Sequence, residues 1–377
     1  MALITYLTTI RFGFGFGEAD ALGDEIAALG IRRPMLVTDR GIVAAGLAAR
    51  VTASLGTAPV VFDATPPNPT ERATQQALAR YREAGCDGLV ALGGGSPIDL
   101  AKAVALLASH EGPLAQYAAI DGGVARITAA VAPVIAIPTT AGTGSEVGRA
   151  ALITLEDGRK VGLISPHLIP ARAICDPLLT LGLPPALTAA TGMDALSHCV
   201  ETYLSPRFNP PADAIALDGA ARIVGHLKHA VTAGDDRDAR AEVMMGALQG
   251  GLCFQKGLGA VHGLSHALGS LASPSLHHGT LNAVLMPAVM RYNGPVIAVK
   301  LPRLRLALGL ADDADVAAFF AALNAELNLP RGLRAMGVPA SVLDDMAEKA
   351  ARDHSTATNP RPVDADGYRA IFQAAWE

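Results

Sequence analysis

Residues 261–279 read VHGLSHALGSLASPSLHHG, and four of the chain's ten histidines, His262, His266, His277 and His278, fall in that stretch. Imidazoles at this density suit metal ligation, proton transfer or packing. His262 and His266 stand four residues apart, a spacing that puts both side chains on one helical face. Zinc proteases also use H-x-x-x-H, but they need a glutamate directly after the first histidine, and here that residue is Gly263. A second pair at the same spacing lies upstream, Asp194 and His198 in ATGMDALSHCVE. One carboxylate with several imidazoles suits a borderline divalent ion such as Fe²⁺ or Zn²⁺. The residues alone leave open which of the four clustered histidines bind. Adjacent side chains diverge in helix or strand, so His277 and His278 are not expected to reach one ion together.

Such a cluster needs elements to hold it and a second reactant to act on. The first half of the chain alternates strand patterns, at 34–39, 58–64, 87–94 and 132–140, with helical patterns such as GIVAAGLAARVTASLG and NPTERATQQALARYREAG. That alternation predicts a parallel sheet covered by helices. In LVALGGGSPIDLAKAVALL a buried strand runs into Gly93, Gly94 and Gly95. Ser96 then suits an N-cap, Pro97 the first helical position and Asp99 the first turn. Free amides at such a helix start bind a pyrophosphate. IPTTAGTGSEVG, with Thr139, Thr140, Thr143 and Ser145, is a second small-residue loop after a strand. Asp39 ends the strand at 34–39, where a carboxylate can accept hydrogen bonds from an adenosine ribose and repel a 2′-phosphate, favouring NAD over NADP. The glycines of RFGFGFGEADALG do not follow G-x-G-x-x-G, and a hairpin or glycine-rich turn is expected there. After GLPPALTAATG the texture changes to successive helices, at 212–233, 238–256, 258–272 and 280–293. The expected division is an α/β domain over 1–184 and an all-α domain over 185–377, with a cleft between them for cofactor and substrate.

Composition narrows the function. A chain of 377 residues, half hydrophobic and 17% charged, can bury more than one core. Its net charge of −5 lacks the basic face that nucleic acid demands. The four cysteines, Cys86, Cys175, Cys199 and Cys253, are scattered without a CxxC, which suits a reducing cytoplasm. The N-terminal MALITYLTTIRFGFGFGE lacks a basic start and is interrupted by Arg11, unlike a secretion signal. No apolar run is long enough to span a bilayer free of charge and turn residues. A cytoplasmic enzyme is expected, with no nucleic-acid or membrane partner.

Taken together, GGGSPIDLAK, PTTAGTGSEV, LPPALTAATGMDALSHCVE, GLGAVHGLSHALG and HHGTLNAVLMPAVMRYN resemble the iron-containing (group III) alcohol dehydrogenase family, in the same order and as far as TNPRP at 358–362. The resemblance implies a Rossmann-like N-terminal domain and a helical C-terminal domain, the architecture shared with dehydroquinate synthase. It also implies NAD, a divalent ion (Fe²⁺, with Zn²⁺ as a substitute), a small alcohol or aldehyde as substrate, and a homodimer. By motif position Asp194, His198, His262 and the histidine before Gly279 match the metal ligands, and His266 matches a residue beside the nicotinamide. Asp39, Asn68, Gly95, Ser96, Thr139, Thr140, Lys160, Leu179 and Gly182 match cofactor contacts, and Gly94, Asp99 and Thr143, close to them in the sequence, are expected to bind the cofactor as well. Phe254 matches an apolar wall of the substrate pocket. The segment before Gly279 is slightly longer than usual in the family and ends in two histidines. HGTLNA aligns without a gap to the family's ligand-Gly-x-x-Asn-Ala, which selects His278 as ligand and leaves His277 to the substrate side. The implied chemistry is hydride transfer between a small alcohol or diol and nicotinamide, the cation acidifying the hydroxyl. Glycerol dehydrogenase-like and hydroxyacid dehydrogenase activities on the same fold, or a metal-binding protein without turnover, are the alternatives.

Overall fold

Runs of aliphatic residues form strands where both faces of a sheet can be covered, and four such runs lie at the centre of the first unit. The computed structural model describes residues 9–12, 16–271 and 273–377. Its strands are β1 (Thr9–Phe12), β2 (Pro34–Val37), β3 (Val60–Phe62), β4 (Gly88–Gly93), β5 (Val134–Pro138), β6 (Ala150–Thr154), β7 (Lys160–Ile164) and β8 (Arg172–Cys175). Six of them form a parallel sheet in the order β1-β8-β5-β4-β2-β3, and β6 and β7 form a separate antiparallel pair. The helices of this unit are α1 (Leu22–Ala28), α2 (Arg40–Ala44), α3 (Leu47–Thr52), α4 (Glu71–Glu83) and α5 (Gly95–Ser109).

Strand periodicity divides the core. Leu89 and Ala91 of β4 join Met35, Val37 and Ala136 on one face of the sheet. Val90 and Leu92 join Leu36, Ile135, Ile137 and Ile174 on the other. Every residue of β4 is buried. Strand order reverses between β2 and β4, and parallel register places Val37 beside Ala91 and Gly93 beside Pro138. The loops after β2, β4 and β5 therefore leave the same edge of the sheet, where ligands bind in open α/β sheets.

The second unit contains no strand among the described residues. It comprises α6 (Pro185–Leu204), α7 (Pro210–Thr232), α8 (Arg237–Cys253), α9 (Ala260–Leu268), α10 (His278–Ile297), α11 (Leu301–Ala307), α12 (Val316–Glu326), α13 (Leu343–Ala351) and α14 (Ala365–Ala374). α6 is its central helix, buried continuously from Thr188 to Leu204 and packed by α7, α8 and α10. The chain divides at Leu183, and Ala141–Thr143 group with the helical unit while Gly144–Gly182 return to the sheet unit. No described helix is long and apolar enough to cross a membrane.

Local expectations needed revision in four places. The helix expected through GIVAAGLAARVTASLG is broken into α2 and α3 by Gly46, whose φ of 76° is left-handed. α5 begins at Gly95 with Gly94 as its N-cap, so Ser96 is not the cap and Asp99 falls beyond the first turn. Of the hairpin or glycine-rich turn expected in RFGFGFGEADALG, β1 excludes the hairpin by pairing in parallel with β8, and residues 13–15 of the turn lie outside the described ones. The β6–β7 hairpin was not expected from the sequence.

Candidate active site

In the sheet unit, the glycine loop is shaped by close packing. Gly93 has φ 147°, and a Cβ there would lie 2.7 Å from Pro97 Cγ. Thr139 N donates to Gly93 O at 3.0 Å, which brings the loops after β4 and β5 together. Gly94 stands against Thr140, at 3.4 Å from a Cβ to Thr140 Oγ1. The start of α5 is thus lined by Gly94, Gly95, Thr139 and Thr140, with free helix amides available to an anion. Ser96 Oγ donates to Pro67 O. Lys160 Nζ donates to Asn68 Oδ1 at 3.2 Å, joining two residues that the resemblance assigns to cofactor. Asp39 Oδ1 accepts from Ile42 N at 3.0 Å and caps α2. Leu179 lies in the hydrophobic core, Gly182 is exposed, and Thr143 groups with the helical unit.

Asp99 turns inward. Its Oδ1 accepts from Ser145 Oγ at 2.5 Å and its Oδ2 from Leu152 N at 3.0 Å. Fully buried Lys102 donates to Ser145 Oγ, Gly148 O and Ala150 O at 2.9, 2.9 and 2.8 Å. Burial lowers the Lys102 ammonium to about 8 and raises the nearby Glu146 carboxyl to about 7. These bonds anchor α5 to β6 and to the loop before it. They place Asp99 in the scaffold of the loop, with both oxygens already bonded.

The helical unit gathers the imidazoles. Asp194, His198 and Glu201 lie at i, i+4 and i+7 of α6, on one face. His262 and His266 come from α9, and His278 and Asn282, also four apart, from the start of α10. Three Nε2 atoms converge on Asp194 Oδ1: His198 at 3.8 Å, His262 at 3.8 Å and His278 at 3.6 Å. Zinc-type bonds of about 2.0–2.2 Å put tetrahedral ligand edges at roughly 3.3–3.6 Å. The ring centroids of His198 and His262 are 4.7 Å apart, and those of His262 and His278 5.4 Å. Asn282 Nδ2 lies 2.7 Å from Asp194 Oδ1, 3.3 Å from His262 Nε2 and 3.2 Å from His278 Nε2. An amide has two hydrogens, too few for three acceptors, whereas a divalent cation satisfies all of them. Asp194, His262 and His278, whose ligand atoms all lie within 4.8 Å of one another, therefore fit such an ion, and His198 Nε2 stands at the edge of that group, 3.8 Å from Asp194 Oδ1.

Glu201 was missed as a functional residue, although its i+7 spacing from Asp194 was visible. Its Oε2 lies 2.6 Å from His262 Nδ1, and its Oε1 accepts from Val261 N at 2.7 Å. Burial raises its carboxyl to about 7, against the opposing bonds from the backbone of α9. A carboxylate behind the ring holds the proton on Nδ1 and presents Nε2 as a lone pair. Burial, assisted by His198, pushes His262 well below its ordinary value, which keeps the imidazole neutral, as metal binding requires. His198 has no such support: its Nδ1 is buried and unbonded among the described residues.

The end of α6 is fixed by two lysines. Lys256 Nζ donates to Thr202 O at 2.9 Å and also contacts Asp213. Lys300 Nζ donates to Tyr203 O and Ser205 O at 2.6 and 2.9 Å. Both satisfy carbonyls that the helix end leaves open and oppose its dipole.

Phe254, just after α8, sets its ring 5.3 Å from that of His198 at 37°. His266 Nδ1 lies 3.1 Å from Asp353 Oδ2, and its ring stacks on His278 at 5.4 Å. Asp353, distant in sequence, gave no local signal. Burial alone would raise its carboxyl, but His266 outweighs that and holds it well below the usual carboxylate range. His277 is exposed, with Nδ1 3.4 Å from Thr280 Oγ1, and does not join the convergence. Gly263, which excluded the protease reading, packs α9 against Tyr368: a Cβ there would lie 2.7 Å from Tyr368 Oη.

Known proteins resemble this chain along nearly its whole length. A profile of iron-containing alcohol dehydrogenase matches residues 9–177, and one of the C-terminal part of the Fe-containing alcohol dehydrogenase family matches 188–376. The 4-hydroxybutyrate dehydrogenase of Cupriavidus necator is 55% identical, with 99% of each chain covered. Among solved structures, a 1,3-propanediol oxidoreductase superposes with a TM-score of 0.93 at 35% identity, covering 100% of both chains. The sulfoacetaldehyde reductase of Bifidobacterium kashiwanohense, in complex with NAD⁺, gives 0.90 at 28% identity, covering 100% of this chain and 98% of that one. Both halves match in one continuous chain, and the protein belongs to the iron-containing alcohol dehydrogenase family, oxidoreductases acting on a CH–OH group.

Proposed function

We propose that this chain interconverts a short ω-hydroxy acid of the 4-hydroxybutyrate class and its semialdehyde, with NAD as the partner in hydride transfer. The observation that carries the reaction is the convergence of His198, His262 and His278 on Asp194 Oδ1. The substrate class rests on the 55% identity to 4-hydroxybutyrate dehydrogenase. When bound, the divalent ion acidifies the substrate hydroxyl and the dinucleotide accepts the hydride from its carbon. Asp194, His198, His262 and His278 hold the ion, and Glu201 keeps His262 Nε2 unprotonated toward it. Asp353 orients His266, which handles the hydroxyl proton at its other ring nitrogen. Phe254 excludes water beside His198, and His277 borders the substrate. Purified enzyme is assayed for NADH formation with 4-hydroxybutyrate, 1,3-propanediol and ethanol, with and without added Fe²⁺. The first is expected to lead in kcat/KM by roughly tenfold or more, the scale of one pocket contact. A preference for 1,3-propanediol would replace the hydroxy acid with a diol, and no turnover with any substrate would reject the dehydrogenase reading.

The amides of Gly94, Gly95 and Ser96 would hold the dinucleotide, together with Asn68, Thr139, Thr140 and Lys160, and Asp39 would accept hydrogen bonds from its ribose. A carboxylate there repels a 2′-phosphate by a few kcal/mol at an effective dielectric of about 20. Asp39→Gly therefore narrows the preference for NAD over NADP by roughly tenfold or more, each tenfold being about 1.4 kcal/mol. Asp39→Asn separates charge from capping, since asparagine caps α2 equally well. Equal use of both cofactors by the unaltered enzyme defeats this assignment.

A homodimer and a cytoplasmic location complete the proposal. Light scattering checks the first, and four cysteines without disulfides accord with the second.

A further inference from the structure

Beside the proposed ligand set lies a second group that the reaction does not require as a whole. His266, Asp353 and His354 each offer a ligand atom, all within 4.8 Å of one another. His266 Nδ1 is 3.1 Å from Asp353 Oδ2, and His354 Nδ1 is 3.6 Å from Asp353 Oδ1. The two rings lie nearly parallel, 21° apart with centroids 5.7 Å from each other. We propose that His266, Asp353 and His354 form a second, inhibitory site for a borderline divalent cation such as Zn²⁺.

Three observations carry this assignment. One ligand atom from each residue lies within 4.8 Å of the others, and each imidazole Nδ1 stands 3.1 or 3.6 Å from one of the two oxygens of the Asp353 carboxylate, near the ligand edge of roughly 3.3 Å that bonds of about 2.0–2.1 Å produce. The set is two imidazoles and a carboxylate, donors that select zinc-like ions over Mg²⁺ or Ca²⁺. It is also held on one side and open on the other. His266 is fixed in α9, and Asp353 Oδ1 accepts from Ser355 N at 2.8 Å, while His354 is exposed. That leaves an entry path and room for water to complete the shell.

An ion there draws the Asp353 carboxylate and Nδ1 of His266 into its own coordination. The His266 ring stacks on His278 at 5.4 Å and stands edge-on to His262 at 5.7 Å, so occupancy reaches the active centre. Excess Zn²⁺ then slows turnover without displacing the first ion. The inhibition rests on the dehydrogenase reading, but the binding does not.

The test uses purified holoenzyme with its native metal. After equilibration with excess Zn²⁺ and removal of free ion, total metal per chain, iron plus zinc, is measured for the unaltered enzyme and for His354→Ala. Exchange at the first site leaves the total at one, whereas a second site raises it to two. The expected result is two for the unaltered enzyme and one for His354→Ala, whose retained ion also reports an intact fold. Inhibition, scaled to each protein's own rate, moves to at least about tenfold higher Zn²⁺ in the variant, the smallest effect expected even for residues outside a ligand shell. A total of one for the unaltered enzyme overturns the proposal. A total of two for both proteins overturns it as well, because the second ion then sits elsewhere.

Discussion

His278→Ala purifies without tightly bound metal and without turnover, whereas His277→Ala keeps its metal and changes mainly the kinetics with substrate. The two histidines are adjacent, but only one reaches the cluster. His278 Nε2 lies 3.6 Å from Asp194 Oδ1 and 3.2 Å from Asn282 Nδ2. His277 precedes α10 with extended backbone, φ −75° and ψ 125°, and turns to Thr280. Loss of one ligand of four removes more than the roughly 10–100-fold in affinity that supporting residues outside the shell contribute. Metal analysis of the two purified variants, alongside kcat and KM, gives the answer. Metal lost from His277→Ala and kept by His278→Ala would reverse the assignment of the pair.

Gly279→Ala has nearly as large an effect, although alanine adds one methyl group to a helix. A Cβ at Gly279 would lie 2.2 Å from Ala190 O, 2.8 Å from Ala190 C and 3.2 Å from Asp194 Cβ. The obstacle is backbone of α6, so relief comes only from moving α10 away from α6. That motion separates His278 from Asp194, the two residues whose approach the site needs. Overpacking of this kind costs about 1–3 kcal/mol, and a displacement near 1 Å costs roughly a hundredfold in rate. Thermal unfolding and bound metal should fall together. Gly294→Ala, in the same helix but with open space around it, is the control: intrinsic propensity there favours alanine by about 0.8–1 kcal/mol. If Gly279→Ala melts like Gly294→Ala and retains metal, the close approach of α6 and α10 does not set the site.

Local spacing alone determined several features. Four-residue intervals put Asp194 with His198 and His262 with His266 on single helical faces, because 3.6 residues per turn is a property of any α-helix. Buried aliphatic runs ending in glycine or threonine marked strands and the loops after them, and ordered motifs carried the family. The helix break at Gly46 and the start of α5 escaped because a glycine is compatible with helical, extended and left-handed torsions alike, and only the folded chain selects among them. Tertiary structure decided which faces meet. His262 and Glu201 stand 61 residues apart, and Asn282 and Asp194 88 apart. His266 and Asp353 are separated by 87. Their pairing comes from α10 packing on α6 and α9 and from α13, just before Asp353, packing on α9, and the interval along the chain carries no trace of it. Asp99 is the reverse case: its place near a phosphate loop was legible, but the buried Lys102 and Ser145 beside it turned the carboxylate into the scaffold. A residue's type and helical phase are local properties. Its partner, and hence its charge state and role, is fixed only when distant segments bury it together.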